Sequence, residues 1–255
     1  MIRTKSKKHA GRDPGKKAAA HKTGKAVPFA NENHRGDRLS EVILGGQDGL
    51  VNVLGVILGV AAASQDTRIV LAGGLAATFA ESISMAAVAY TSKLAERDFY
   101  HSEMEREKRE IKEVPELEVE EIREIYRQKG FKGKLLEEIV KVITSDEKVW
   151  LETMMRDELN LTPVEEKRPF IAAFVVGLSA IIGSLIPLWP FFFLPVQTGI
   201  YTSLVVSSIA LFLVGVIKAK LTIGNWGKSG LEMAVIGMVS ALAGYAVGYL
   251  FTPQA

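Results

Sequence analysis

Three carboxylates recur at helical spacing around the first apolar stretch of the chain. Asp37, Glu41 and Asp48 stand at relative positions 0, 4 and 11, which places them within about 40° of one another on one helix face. Asp48 lies well inside the apolar run, where an ionised carboxylate costs several kcal/mol unless it is paired, hydrated or neutralised. Such an acid is a candidate for holding a cation or a proton. The alternative is a protonated Asp48 bonded to Asn52 or Gln47.

A second apolar stretch adds a carboxylate and a thioether. Glu81 and Met85 are four residues apart, so a helix presents them on one face. Methionine in a membrane helix is usually packing, but beside intramembrane carboxylates it completes a mixed set of soft sulfur and hard oxygen. Such a set suits a borderline ion such as Fe²⁺ better than Mg²⁺ or Ca²⁺. Glu232 is a weaker candidate, because Lys228 is placed to pair with it.

The polar segment between the second and third apolar runs repeats the carboxylate pattern. Its candidates are Glu103, Glu107 and Glu110 at i, i+4 and i+7, Glu118 and Glu121 at i and i+3, and Met154 and Glu158 at i and i+4. A Glu-rich helix is usually a solvated face. Three short helices in one domain could instead converge their acids on a metal ion.

The composition argues against several other chemistries. The chain has no cysteine and four histidines, all in polar segments, so an intramembrane metal would be held by carboxylate, thioether, carbonyl or water ligands. No Glu-x-x-His pair occurs, which argues against a ferritin-like di-iron site. No nucleophile–base pair or phosphate loop stands out, so we expect no enzyme. We also expect no permanently bound cofactor and no nucleic-acid partner.

Five apolar segments of spanning length position these residues. They run over Glu41–Ala63, Ile69–Leu94, Phe170–Leu188, Gly199–Ile217 and Leu231–Phe251, each near the roughly 20 residues that cross a bilayer as a helix. Their backbone amides find no water in lipid, so helix is the expected conformation. We therefore predict an all-α integral membrane protein with five transmembrane helices and a three-helix acidic insert between helices 2 and 3.

Charge divides the chain into four predicted parts. Residues 1–38 are a basic tail with eleven Lys or Arg, predicted to be disordered and cytosolic. Residues 39–94 hold helices 1 and 2, 95–169 the acidic metal-binding domain, and 170–252 helices 3 to 5. Because Lys and Arg are retained in the cytosol, we expect the N-terminus and insert inside and the C-terminus outside.

The insert is strongly acidic. Between Glu96 and Glu166 it has 21 acidic and 13 basic residues, whereas the rest of the chain has 8 acidic and 18 basic. A water-exposed acidic domain attracts cations. Proline and glycine positions predict its three helices over Leu94–Ile111, Glu116–Lys129 and about Lys134–Asn160.

Glycines recur four residues apart in two of the apolar segments. The pairs are Gly45 with Gly49, Gly55 with Gly59, and Gly244 with Gly248. Small residues at this spacing let helix backbones approach closely. They predict tight helix pairs or the seam of a homodimer.

Two of these stretches resemble the vacuolar iron transporter family. Asp48-Gly49-Leu50-Val51-Asn52, followed by Leu54-Gly55-Val56-Ile57-Leu58-Gly59-Val60, is similar to its first span, and Glu81-Ser82-Ile83-Ser84-Met85 is similar to its second. Five spans with an acidic insert after the second is also the plan of that family. The resemblance covers roughly residues 35–252.

The resemblance implies a homodimeric Fe²⁺/H⁺ antiporter with its ion path near the dimer interface. Asp48 and Met85 would be intramembrane metal ligands, with Glu41 and Asp37 leading toward the cytosol. Cytosolic metal ligands would be Glu107, Glu110, Glu118, Glu121, Met154 and Glu158. Ala77 stands where some eukaryotic members have a carboxylate, so Glu81 would substitute for it, and Glu41 and Asp37 exchange Asp and Glu relative to those members.

Together these observations predict a proton-coupled transporter of Fe²⁺, with Mn²⁺ as the second ion, that moves metal out of the cytosol. Asp48 and Glu41 are the predicted proton-coupling residues. A prokaryotic cell membrane is favoured, and a vacuole-type organelle is the alternative. Two other functions fit the same acids: a proton-coupled transporter of an organic cation, and a membrane-tethered metal sensor. The first would not need Met85 or Met154, and the second would show no flux.

Overall fold

A computed structural model describes residues 33–222 and 224–251, with side chains from residue 38 onward. All of the regular structure in these ranges is helical. The elements are α1 (Asn33–Ser64), α2 (Thr67–Glu113), α3 (Pro115–Gln128), α4 (Gly133–Thr144), α5 (Glu147–Thr153), a π-helical turn (Met154–Glu158), α6 (Arg168–Leu188), a 3-10 turn (Trp189–Phe192), α7 (Val196–Leu221) and α8 (Trp226–Leu250). Most of the predicted basic tail lies outside the described residues.

Five of these helices are long and apolar enough to cross a membrane, as the sequence predicts. The candidate spans are Arg38–Ser64, Thr67–Glu113, Arg168–Phe192, Val196–Leu221 and Trp226–Leu250. Large apolar side chains such as Phe79, Phe174 and Leu213 are exposed on the outer faces of these helices. Lipid would cover such a surface, because membrane helices do not need to hide apolar groups from their solvent.

The ends of two spans are set by side-chain caps that hydropathy does not reveal. Asp66 accepts hydrogen bonds from the backbone N–H groups of Arg68 and Ile69 and starts α2. Asn225 does the same for Gly227 and Lys228, so α8 begins five residues before the predicted start of its span. Capping satisfies backbone donors that have no partner within the helix.

Helix α1 packs between α6 and α8 through its glycines. A Cβ atom placed on Gly45 would lie 2.3 Å from the carbonyl oxygen of Val176 in α6, and one on Gly59 would lie 2.8 Å from that of Gly244 in α8. Similar contacts join Gly49 with Ala180, Gly55 with Ser240, Gly183 with Gly46 and Gly248 with Gly59. The prediction of tight helix pairs is therefore confirmed within one chain, and the dimer seam stays a prediction.

The insert has more helical segments than the sequence predicted. Helix α2 continues out of the membrane segment and α3 follows it, as expected. The predicted third helix is interrupted, because the Asp146 side chain accepts hydrogen bonds from the N–H groups of Lys148 and Val149 and starts a new helix. Helices α3, α4 and α5 with the π-helical turn pack their apolar faces into one core with the end of α2, formed by Ile111, Ile122, Leu136, Val140, Ile143, Trp150 and Met154.

We predict that Gly183→Ala destabilises the protein. Its Cβ atom would lie 2.0 Å from the carbonyl oxygen of Gly46, so α1 and α6 must separate, at a cost of roughly 1–3 kcal/mol. Gly73→Ala is the matched control, because its Cβ atom meets only Val60 methyl groups at 3.5 and 3.7 Å. Thermal unfolding in detergent should show a lower Tm for the first variant alone. Equal Tm values would mean that the glycine contact is not needed.

Candidate functional site

The structure brings Asp48 of α1 beside Glu81 of α2. Both side chains are half-buried, and their carboxyl groups are close enough to interact with each other. The Asn52 amide donates a long hydrogen bond of 3.4 Å to Asp48 Oδ2. Two neighbouring carboxylates away from bulk water cannot both be ionised without a cation between them or nearby. The pair can therefore hold either a proton or a metal ion.

Met85 lies one helical turn from Glu81, on the side of α2 that leads to the insert. It lines a cavity of about 160 Å³ together with Glu41 of α1 and Ala172 and Val176 of α6. One water needs about 10–15 Å³ of such volume, so the cavity has room for several waters or a partly hydrated ion. Its wall is mostly apolar, and Glu41 is the one acidic residue that lines it. Asp48 is not among the residues that line this cavity, so the structure divides the predicted intramembrane ligands into two neighbouring groups.

Glu41 has a partner that sequence reasoning missed. Nη2 of Arg168, the first residue of α6, donates a 2.7 Å hydrogen bond to Glu41 Oε1, and both side chains are buried. Glu41 Oε2 is also buried and accepts no hydrogen bond from the residues that the structure describes. The only sequence signal was a basic residue just before the third span, which is ordinarily a cytosolic anchor. Asp37 lies in α1, but its side chain is outside the described residues.

The insert acids gather around an arginine that the sequence did not single out. Arg106 of α2 forms ion pairs with Glu103 at 2.9 Å, Glu107 at 3.0 Å and Glu110 at 3.2 Å. Glu107 is nearly completely buried, and its Oε2 atom has no hydrogen-bond partner among residues 38–222 and 224–251. One cation thus offsets part of the charge of three acids, and a net negative charge remains.

Glu118 of α3 faces the same cluster. Its side chain is buried, and Oε2 has no hydrogen-bond partner in the described part of the chain. Burial, followed by the negative charges of Glu121, Glu107 and other nearby acids, raises the pKa of Glu118 to about 7. The predicted cytosolic acids of α2 and α3 therefore lie close enough for their negative charges to repel one another. Glu158 of the π-helical turn, which is exposed, also acts on Glu118.

Two features of the insert differ from a metal site in which the ligands already surround the ion. Met154 is fully buried in the apolar core of the insert, where its sulfur also serves as packing. Within the described ranges, no three Asp, Glu or His side chains are grouped as they would be around a metal ion. The acids are instead held by Arg106, so a cation that binds here must displace the arginine or use the oxygens that it leaves without partners.

Comparison with known proteins gives consistent matches over most of the chain. Residues 39–249 match the family model described as the VIT family. Vacuolar iron transporter 1 of Oryza sativa subsp. japonica is 35% identical over 88% of this chain and 91% of its own length. Vacuolar iron transporter 1 of Tulipa gesneriana is 34% identical over 83% and 86%, and Protein CCC1 of Saccharomyces cerevisiae is 30% identical over 81% and 67%.

We predict that Glu118→Gln reduces the loss of stability of the insert as pH rises. A carboxyl whose pKa is about 7 in the folded chain and 4.5 as the ordinary value holds a proton that the unfolded chain has released. Ionisation of Glu118 therefore lowers the free energy of unfolding as pH rises from about 4.5 to 7, by up to roughly 3 kcal/mol. The variant should remove this contribution, and divalent metal should stabilise the natural protein at pH 8 more than the variant.

The measurement is thermal unfolding of the full chain in detergent between pH 5 and pH 8, followed by the fluorescence of Trp150. Trp150 lies in the insert core, and the other two tryptophans, Trp189 and Trp226, are changed to Phe in every sample. Glu116→Gln, an exposed position on the same helix, is the control and should keep the natural pH dependence. The same dependence of Tm on pH in both variants would contradict the raised pKa of Glu118.

Proposed function

This chain belongs to the VIT family, and from that premise we propose that it is a proton-coupled transporter that carries Fe²⁺, with Mn²⁺ as a second ion, out of the cytosol. Family membership confirms the expectation that the protein is not an enzyme, since the two plant relatives named above are iron transporters. The transported metal is the substrate, and the proton is the proposed counter-ion.

One observation carries the proposal: two carboxyl groups, Asp48 and Glu81, lie side by side on two apolar helices. Such a pair binds a divalent cation well when both groups are ionised and poorly when one is protonated, because metal and proton compete for the same oxygens. The same residues can therefore alternate between the two ions. Alternation of this kind is the basis of an antiporter.

The positions of the other ligands suggest a route toward this pair. Met85 lies about 6 Å from Glu81 along α2, nearer to the insert, at 1.5 Å per residue. Glu41 lies about 10 Å from Asp48 along α1, also on the insert side. The acids of the insert would concentrate metal ions. The Glu41–Met85 cavity would then receive the ion and pass it to Asp48 and Glu81.

The direction and the membrane follow from charge and from the relatives. Lys and Arg are concentrated in the tail and near the insert, which supports a cytosolic location for both. Metal captured by the insert would then leave the cytosol, and protons from the far side would reset the carrier. The names of the relatives support a vacuole-type membrane, and a prokaryotic plasma membrane would use the same orientation.

A homodimer is part of the proposal. An open groove of about 560 Å³ runs between α1 and α8 and is lined largely by small residues, among them Gly55, Gly59 and Ala243. Asn52, which contacts Asp48, lies at this groove. A second copy seated there would place the ion path next to the interface.

We predict that Asp48→Asn reduces metal flux in proteoliposomes by about 100-fold or more, because the shape is kept and the charge that binds the ion is lost. Asp48→Ala should do the same. The control is Glu232→Gln, which removes an exposed carboxylate from the beginning of α8 and should leave flux unchanged. Undiminished flux in both Asp48 variants would remove the basis of the proposed function.

A further inference from the structure

The ion pair between Glu41 and Arg168 joins two distant parts of the chain at the insert end of the membrane helices. Arg168 Nη2 lies 2.7 Å from Glu41 Oε1, and the two side chains are 7% and 11% exposed, respectively. The residues are 127 positions apart in sequence. An arginine on the first turn of α6 thus holds a carboxylate on α1 in a nearly dry environment, where charge interactions are strong.

The other oxygen of the same carboxylate is left without a partner. Glu41 Oε2 is buried and accepts no hydrogen bond within the described residues. Glu41 also lines the cavity of about 160 Å³ that Met85 lines. A buried acceptor without a partner is costly, and the side chain that bears it lines this cavity. Arg168 therefore binds one oxygen of the carboxylate, and the other oxygen keeps its capacity to bind a ligand that reaches it.

Arg168 is the cation suited to this role. Lys93 lines the same cavity, but it pairs with Glu96 at 2.6 Å. The first turn of α6 is held against α2 by an edge contact between the rings of Phe170 and Tyr90, with centroids 5.1 Å apart. The planar guanidinium loses little freedom when it binds a carboxylate. Its position is consequently set by packing rather than by the carboxylate alone.

We propose that Arg168 is a positioning residue for metal entry, a tethered cation that holds Glu41 at the cavity and competes with the incoming ion for its carboxylate. The inference rests on the proposed function and adds a regulator of affinity to it. A divalent ion at Glu41 must share or displace the guanidinium, so it binds weakly there and moves on. No ion pair of Asp48 or Glu81 occurs in the part of the chain that the structure describes, so the deeper pair offers the ion more charge.

The test compares two variants that break the same contact. With Mn²⁺ flux in proteoliposomes at constant pH, R168Q should lower the KM by roughly fivefold and lower kcat, because tighter binding before the rate-limiting step slows release. E41Q should raise the KM by about fivefold or more, because a ligand is lost. R97Q is the control, because Arg97 of α2 pairs with Asp98 and Glu166 and not with Glu41. In this variant both KM and kcat should stay unchanged.

A purely structural ion pair gives a different result. Both variants would then have a lower Tm and a lower kcat, and their KM values would either change in the same direction as each other or not change. That outcome would overturn the inference. If R168Q does not fold, the double variant E41Q/R168Q, which removes both charges of this ion pair, is compared with E41Q. Arg168 acts through Glu41, so the two should have the same KM, and a further shift would also overturn the inference.

Failure of transport itself would be seen separately. If the natural protein carries neither Fe²⁺ nor Mn²⁺, the proposed function fails, and equilibrium Mn²⁺ binding in detergent then decides the role of Arg168. R168Q should bind Mn²⁺ more tightly than the natural protein by the same roughly fivefold factor. Equal or weaker binding would show that Arg168 does not compete with a metal ion.

Discussion

Each acid that this chain buries away from bulk water needs a compensating positive charge or a shared proton, because an isolated carboxylate in such a place is too costly to keep ionised. Arginine supplies the compensation at two sites, where Arg168 pairs with Glu41 and Arg106 with Glu107 and its neighbours. Asp48 has a second carboxyl group beside it instead. At all three sites a divalent cation would supply the charge that the protein itself provides only in part.

Close helix packing is what brings these groups together. The contact between Gly46 and Gly183 leaves no room for a side chain between α1 and α6. Because α1 and α6 touch backbone to backbone, the first residue of α6 reaches the carboxylate of Glu41, one turn before Gly45. On its other side, α1 meets α8 through Gly55 and Gly59. The helix that has the most important acids is thus fixed from two directions.

Much of this arrangement could be predicted from the sequence, because hydropathy and helical spacing are local properties. The five spans and the shared face of Glu81 and Met85 follow from them. The pairing of Glu41 with Arg168 could not be predicted, since it depends on how distant helices meet. The break at Asp146 was missed because a cap can override helical periodicity. Arg106 pairs with three acids of its own helix, a pattern that in the sequence looked like an ordinary solvated helix face, and only the burial of Glu107 in the fold sets it apart.

In the proposed mechanism, Asp48 and Glu81 exchange a metal ion for protons. The decisive experiment follows metal and proton movement at the same time in proteoliposomes loaded with a pH-sensitive dye, with Fe²⁺, Mn²⁺, Co²⁺ and Zn²⁺ compared. If the exchange occurs, Fe²⁺ and Mn²⁺ movement is matched by proton movement in the opposite direction, and an imposed pH gradient drives either metal against its own gradient. Metal movement at the same rate with no change in pH, and with no response to the gradient, would contradict it.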